Sequence, residues 1–319
     1  MENNQDGLNK LDLFKIRTLM RTETEQIYKE RIFRVLIHIQ THLDEPLSLE
    51  DLAAIAYFSP FHFHRIFKGM LGEPVKAHIR NIRLEPSAWH LRSTDRNILD
   101  NALDAGYETH ELFTRAFRSM FSNNPSEFRR GQFGESNKRS PSGVHFQPGG
   151  KLENFNPITR GGVIMEIRIE KIESMRVASV RHIGPYEECE PAWQKLCAWA
   201  GPRGLFGPGV KMIGISHDDP EVTPPEKIRY DACITVGDAI ESEGEVVVRM
   251  IPGGDYAVAT HKGPFTKLIA TYNKLYGEWV PQSGRVVKKA ACFEIYLNDP
   301  DRTSPEELLT DIYIPLEAE

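Results

Sequence analysis

Residues 292–297 read CFEIYL, a glutamate in a run otherwise apolar or aromatic. Burying a carboxylate is costly unless something pairs with it, so Glu294 is a candidate partner for a cation or a set of donors. Strand alternation puts Glu294 and Tyr296 on one face and Phe293 and Ile295 on the other. Glu294 could equally be a solvated strand residue or a partner of Arg285, Lys288 or Lys289. A second kind of chemistry recurs in HRIFK (64–68) and TRAFR (114–118), where an arginine sits beside apolar residues at helical spacing. Its planar fork can hold a guanine edge through two hydrogen bonds, worth about 1–3 kcal/mol of discrimination. His62 and His64 are two apart, and on a helix such residues point in different directions, so no metal site is expected there.

Both arginines belong to a stretch, 25–130, with helical periodicity throughout. Ile32, Val35, Leu36, Ile39 and Leu43 mark one amphipathic helix that Pro46 stops. Ser48 starts the next, with Asp51 three residues on. Ser59 is a good N-cap and Pro60 suits the first helical position. Leu52, Ile55, Phe63, Ile66 and Phe67 have core spacing, which leaves Phe61, His64 and Arg65 on another face. In the second stretch, 98–130, Gly106 supplies a turn and Leu112, Phe113, Ala116 and Phe117 supply the core. His110, Glu111, Thr114 and Arg115 then lie outward.

These two helix-turn-helix patterns resemble the AraC family of bacterial transcription regulators over about 100 residues. The paired HRIFK and TRAFR segments, the GEP after the first and the NNPSEFRR that closes the second carry the likeness. The resemblance implies that the two second helices enter successive major-groove segments, about 34 Å apart, set by a spacer helix over 74–92. By position it implies base contacts from Phe61, His64 and Arg65, and from His110, Glu111, Thr114 and Arg115, with Lys68 and Arg118 on phosphates. Tyr57 and Ser122 stand where many members have glycine, and Pro86 should kink or shorten the spacer.

From 131 to 162 the sequence turns to Gly, Ser, Pro, Asn and Lys and reads as a flexible linker. Beyond it the period becomes two, and the text repeats. DDPEVTPPEKIRYDACITV is answered eighty residues on by NDPDRTSPEELLTDIYIPL, and RVASVRHIGPYEECEPAWQKL by DYAVATHKGPFTKLIATYNKL. Each copy, about 163–237 and 245–317, is expected to be strand, strand, helix, strand, strand. One copy is too small to cover a sheet face and a helix, so the two should pair and leave a groove at their seam. The GP-aromatic turns and the CFEIYLNDP strand resemble the gyrase-inhibitor-like effector domain of bacterial multidrug-sensing regulators, over about 155 residues. That likeness implies a groove-facing glutamate meeting cationic, aromatic drugs: here Glu294, with Tyr296, Trp279 and Tyr256 as walls. Glu294 matches Gly214 in the first copy; Trp193 and Trp199 read as core.

The expected architecture is therefore multidomain: an N-terminal extension (1–24), an all-α tandem helix-turn-helix domain (25–130), a linker (131–162) and an α+β domain (163–319). A net charge of −6 hides a modest basic excess over 60–130. No run approaches the roughly 18 apolar residues of a membrane span, and the N-terminus lacks a signal-peptide core, so the cytoplasm is expected. Four cysteines without CxxC or metal spacing read as free thiols, and no cofactor is implied. The leading function is a regulator that binds double-stranded DNA and a small, apolar, cationic or drug-like effector, with RNA polymerase as an implied partner and no catalytic residue. The alternative is a hydrolase of strained electrophilic cytotoxins fused to a DNA-binding domain, with Glu294 as general base.

Overall fold

The computed structural model describes residues 10–131, 141–147, 151–158 and 166–318. Two compact units emerge, one of 1–161 with 276–282, the other of 162–275 with 283–319. The expected start of the first strand at Val163 lies outside the described residues.

In the first unit, α1 (Lys10–Thr41) begins within the stretch expected to be an extension. Tyr28, Ile32, Val35, Leu36 and Ile39 are all fully buried, as their spacing requires. The first helix-turn-helix is α2 (Leu49–Ile55) and α3 (Pro60–Leu71), whose N-caps Ser48 and Ser59 accept from the backbone N–H of Asp51 and His62. The second is α5 (Ile98–Asp104) and α6 (His110–Phe121), followed by the short α7 (Pro125–Arg129) with a full capping box between Asn124 and Glu127. Phe113, Phe117 and Met120 of α6 pack with Leu84, Ala88, Leu91, Ala102 and Ala105.

Between the motifs, α4 runs unbroken over Val75–Ser93 with Pro86 inside it, so the proline does not shorten the spacer. The GEP segment has a local reason. Glu73, ahead of the Pro74 N-cap, accepts from Asn81 Nδ2 at 2.9 Å and lies 2.8 Å from His78 Nδ1, tying the entry of α4 to its second turn.

The linker reading needs correcting for the parts that are described. Val144, Leu152 and Phe155 are buried, and Phe155 stacks on Phe33 of α1 at 6.4 Å. Gln40 donates to the carbonyl of His145 and accepts from the N–H of Gln147. Segments 141–147 and 151–158 are thus part of the helical unit. Three well-spaced apolar residues outweigh the polar composition around them.

The second unit is one curled antiparallel sheet of eight strands: β1 (Ile167–Ile172), β2 (Met175–Ile183), β3 (Met212–Ser216), β4 (Arg229–Thr235), β5 (Val247–Ile251), β6 (Gly254–Lys262), β7 (Cys292–Tyr296) and β8 (Leu309–Pro315). Their order is β1-β6-β8-β7-β3-β4-β2-β5. The two copies are there, with helices α8 (Glu190–Ala200) and α9 (Leu268–Lys274) at matched places. Their pairing is not self-contained, however. β1, the first strand of copy one, pairs with β6 of copy two, and β5, the first strand of copy two, pairs with β2 of copy one. Each copy completes the other's sheet.

The strand face that carries Val177, Ile213, Cys233, Tyr256, Phe293 and Tyr313 forms one core. The opposite face, with Ala178, Val180, Tyr230 and Ala232, packs against Ala192, Leu196 and Ala200 of α8. The repeated aspartates act as lateral clamps. Asp231 on β4 is held by Arg181 of β2 and Arg249 of β5, while Asp311 on β8 is held by Thr260 of β6 and Arg168 of β1. Each clamp ties an inner strand to an edge strand that comes from the other copy.

Candidate functional site

Along α6 the buried stripe of Phe113, Phe117 and Met120 fixes the helix against its neighbours, and the other side is left to solvent. His110, Glu111, Thr114, Arg115, Arg118 and Ser119 line one open concave surface there. All but the half-buried Thr114 are exposed. Glu111 sits in the first turn, where the Thr109 cap accepts from the N–H of Leu112 at 3.2 Å. Its own backbone N–H and the Thr109 hydroxyl hold the Glu111 carboxyl below the usual carboxylate range. The side chains expected to lie outward share this face, with Thr114 half-buried, whereas Leu112, expected in the core, is exposed because it falls beside the stripe of Phe113 and Phe117 rather than on it.

The matched helix α3 differs. Lys68 is half-buried, and Phe61, His64 and Arg65, expected to point outward, are buried. The Arg65 guanidinium lies 4.4 Å over the ring of Phe61, four residues earlier on the same helix. This cation–π stacking holds the guanidinium against its own helix.

Glu294 presents the second constellation. It is buried, with 4% of its surface exposed, and three hydroxyls converge on it. Tyr272 of α9 donates to Oε1 at 2.8 Å, Ser216 of β3 to Oε1 at 3.3 Å, and Tyr296 to Oε2 at 3.0 Å. Tyr296 spends its proton on the carboxylate, so Tyr230, at 2.9 Å, donates to Tyr296. Trp193 of α8 in turn donates to Tyr230 at 3.2 Å. A directed chain therefore runs from Trp193 through two phenols to Glu294. Burial, and then its phenol neighbour and Glu294, push the Tyr296 phenol far above its ordinary value; burial and Glu294 do the same to Tyr230. Both stay neutral donors. Ring faces surround the chain: Trp193 lies 5.8 Å and Phe265 5.2 Å from Tyr296, and Tyr186 5.9 Å from Tyr230.

The place of this cluster follows from the repeat. In the β3–β7 ladder Gly214 is directly opposite Glu294, so the two matched positions face each other across the pseudo-two-fold axis of the domain. Two carboxylates there would repel in a buried setting. Glycine leaves one charge and also leaves space, since a Cβ at Gly214 would overlap the Oη of Tyr296 and lie 2.6 Å from that of Tyr230.

Of the expected walls, Tyr296 is present. Tyr256 is not: it lies on the other face of the sheet among Phe293 and Tyr313, and its hydroxyl donates to the carbonyl of Pro252. The physical reason is register, because the β6–β8–β7 ladders put Tyr256 on the side of Phe293 rather than Glu294. Trp279 falls in the 276–282 segment that groups with the helical unit and is not part of the cluster. Arg285 pairs with Asp255, which removes it as the expected alternative partner of Glu294. The sequence reading missed Tyr272, Tyr230 and Ser216 and placed Trp193 in the core. A signal was there: Trp193 and Tyr272 occupy matched positions in the repeat, as do Tyr186 and Phe265, and Ser216 and Tyr296.

No helix among the described residues is long and apolar enough to cross a membrane. Residues 52–131 match a helix-turn-helix domain family, and residues 165–317 match the GyrI-like small molecule binding domain. The chain is 27% identical over 289 residues to the Right origin-binding protein of Escherichia coli, covering 88% of this chain and 96% of that protein. It is 31% identical over 159 residues to the DNA gyrase inhibitor of Erwinia billingiae, covering 48% of this chain and 97% of that one. Regulatory protein SoxS of Salmonella typhimurium is 35% identical over 101 residues, covering 31% of this chain and 94% of that protein. With a tandem helix-turn-helix unit and a duplicated, strand-exchanged effector fold both in place, the chain belongs to the AraC-type DNA-binding transcription regulators that carry a C-terminal GyrI-like small-molecule-binding domain.

Proposed function

We propose that this regulator reads a specific DNA sequence chiefly through α6 and senses an apolar, cationic, drug-like effector at Glu294. The observation that carries the effector reading is the buried carboxylate on the repeat axis, ringed by Trp193, Tyr230, Tyr272, Tyr296 and Phe265. A planar cation entering that setting gains aromatic contacts of about 0.5–2 kcal/mol. It also meets a desolvated charge, an interaction whose truncation typically costs about 2–5 kcal/mol. On DNA, His110, Glu111, Thr114 and Arg115 face base edges and Arg118 a phosphate. Phe61, His64, Arg65 and Lys68 of α3 serve a second groove segment once their side chains are accessible. RNA polymerase is the partner through which such a regulator acts. The relatives named above are an origin-binding protein, a DNA gyrase inhibitor and a regulatory protein, in keeping with a sensing role for Glu294.

Calorimetric titration with N-methyl-6-phenylphenanthridinium and with neutral 6-phenylphenanthridine tests the effector reading. Glu294→Gln keeps shape and hydrogen bonding, so it is expected to weaken the cation by at least tenfold and spare the neutral ligand. Equal losses for both would make Glu294 structural and end the charge-sensing reading.

A further inference from the structure

The exposed face of α6 mixes signs in a way that phosphate binding does not explain. Glu111, Arg115 and Arg118 lie together opposite the buried stripe of Phe113 and Phe117, and a carboxylate beside a polyanion is repelled at every sequence. Glu111 and Arg115 also have the i, i+4 order that favours a helical ion pair. Among the described residues, though, neither has an ion-pair partner, and Glu111 is instead held by the Thr109 cap. Neither is engaged by an opposite charge, and the two stand on the same exposed face, one turn apart and about 6 Å along the axis.

We propose that Glu111 is a specificity-determining residue that selects cytosine, so that the segment read by α6 contains a cytosine under Glu111 and a guanine under Arg115. This rests on the reading of α6 as the groove-entering helix, in which the N-terminal residues contact base edges. In the major groove only cytosine and adenine offer an amino group, and adenine sets an acceptor, N7, beside it. A carboxylate accepts from the cytosine N4 amino group without that conflict. Everywhere else it meets acceptors or a methyl group, and the uncompensated negative charge acts against the wrong sequence. Guanine presents N7 and O6 together, the pair an arginine fork fits.

Selection of binding sites from a random duplex library, run on the full-length wild type, Glu111→Gln, Glu111→Ala and Arg115→Ala, tests this. Glu111→Gln is expected to change one position from cytosine to adenine, because a carboxamide pairs with adenine N6 and N7, with a preference change of about tenfold. Glu111→Ala is expected to flatten that same position and leave the guanine read by Arg115. A melting temperature for each variant identifies any that misfold, and either Glu111 variant alone suffices. Tighter binding of both Glu111 variants to all sequences, with every base preference unchanged, would overturn the proposal and leave Glu111 a helix-start residue. Arg115→Ala separates the two levels. If it too leaves every position unchanged, α6 is not the reading helix and the underlying reading falls. If it erases a guanine while Glu111 changes nothing, only the cytosine inference is lost.

Discussion

At the scale of single residues, the proposed effector site is a matter of which side chains share a face with one carboxylate. Glu294 and Tyr296 could be paired from sequence because alternation within one strand is local. Tyr256 could not be excluded that way, since its face depends on the register of two further ladders. The distinction is measurable. Tyr272→Phe removes a 2.8 Å donor to a buried carboxylate and is expected to cost about 1–3 kcal/mol of stability and to alter cation binding. Tyr256→Phe loses only a bond to the Pro252 carbonyl and should leave the cation's affinity unchanged, whatever its effect on stability. Denaturant titration and calorimetry on both variants check the contrast, and an equal loss of cation affinity in the two would place Tyr256 back in the site.

Among the elements, two turns and one clamp are informative. Among the described residues, Tyr57 and Ser122 are the non-glycine residues at positive φ, +57° and +63°, and each closes a turn after a helix. The left-handed region costs a residue with a Cβ roughly 1–2 kcal/mol. Ser122→Gly should therefore raise the stability of the helical unit by about 1 kcal/mol after glycine's larger unfolded-state entropy is counted. Tyr57→Gly should gain less, because it gives up the Arg34 guanidinium stacked 5.5 Å over its ring. Thermal melts of the two variants rank them. The Asp231 clamp predicts an acid limit. Burial alone would raise this carboxyl, but hydrogen bonds from His217 and Arg181 and the charge of Arg249 outweigh it and hold it at about 2. A depressed folded value contributes stability that is fully present above the unfolded value near 3.8 and lost as pH falls toward 2. The stability gap between wild type and Asp231→Asn should narrow between about pH 4 and pH 2. A gap that stays constant over that window would show that the clamp carries no charge-dependent stability.

For the whole molecule, strand exchange between the copies has the largest consequence. Copy one lacks β5 at its β2 edge, and copy two lacks β1 at its β6 edge, so each alone exposes a long unpaired strand edge. Fragments 163–237 and 245–319 are each expected to be unfolded or aggregated when expressed singly. Co-expressed, they should assemble into one folded domain that shows the native near-ultraviolet dichroism and binds the cation. A copy that folds as a soluble monomer by itself would mean that the exchange is not needed for folding. Duplication supplies a partner for each edge, and the axis between the copies sets one glutamate opposite one glycine.

What the sequence determined by itself is everything carried by local pattern. Helix starts at Ser48 and Ser59, Phe113 and Phe117 in the core of α6, the repeat and the lone Glu294 of an apolar strand all follow from residue type and short spacing and are found in place, whereas Leu112, read as core, is exposed. Tertiary structure alone decided which strands pair, which face each aromatic joins, and how 141–147 and 151–158 pack. It also decided that Trp193 and Tyr230, from one copy, serve a carboxylate in the other. The physical reason is range. Capping and periodicity are settled within a few residues, whereas strand order and face are settled by burial summed over segments far apart in the chain, which no short stretch of sequence records.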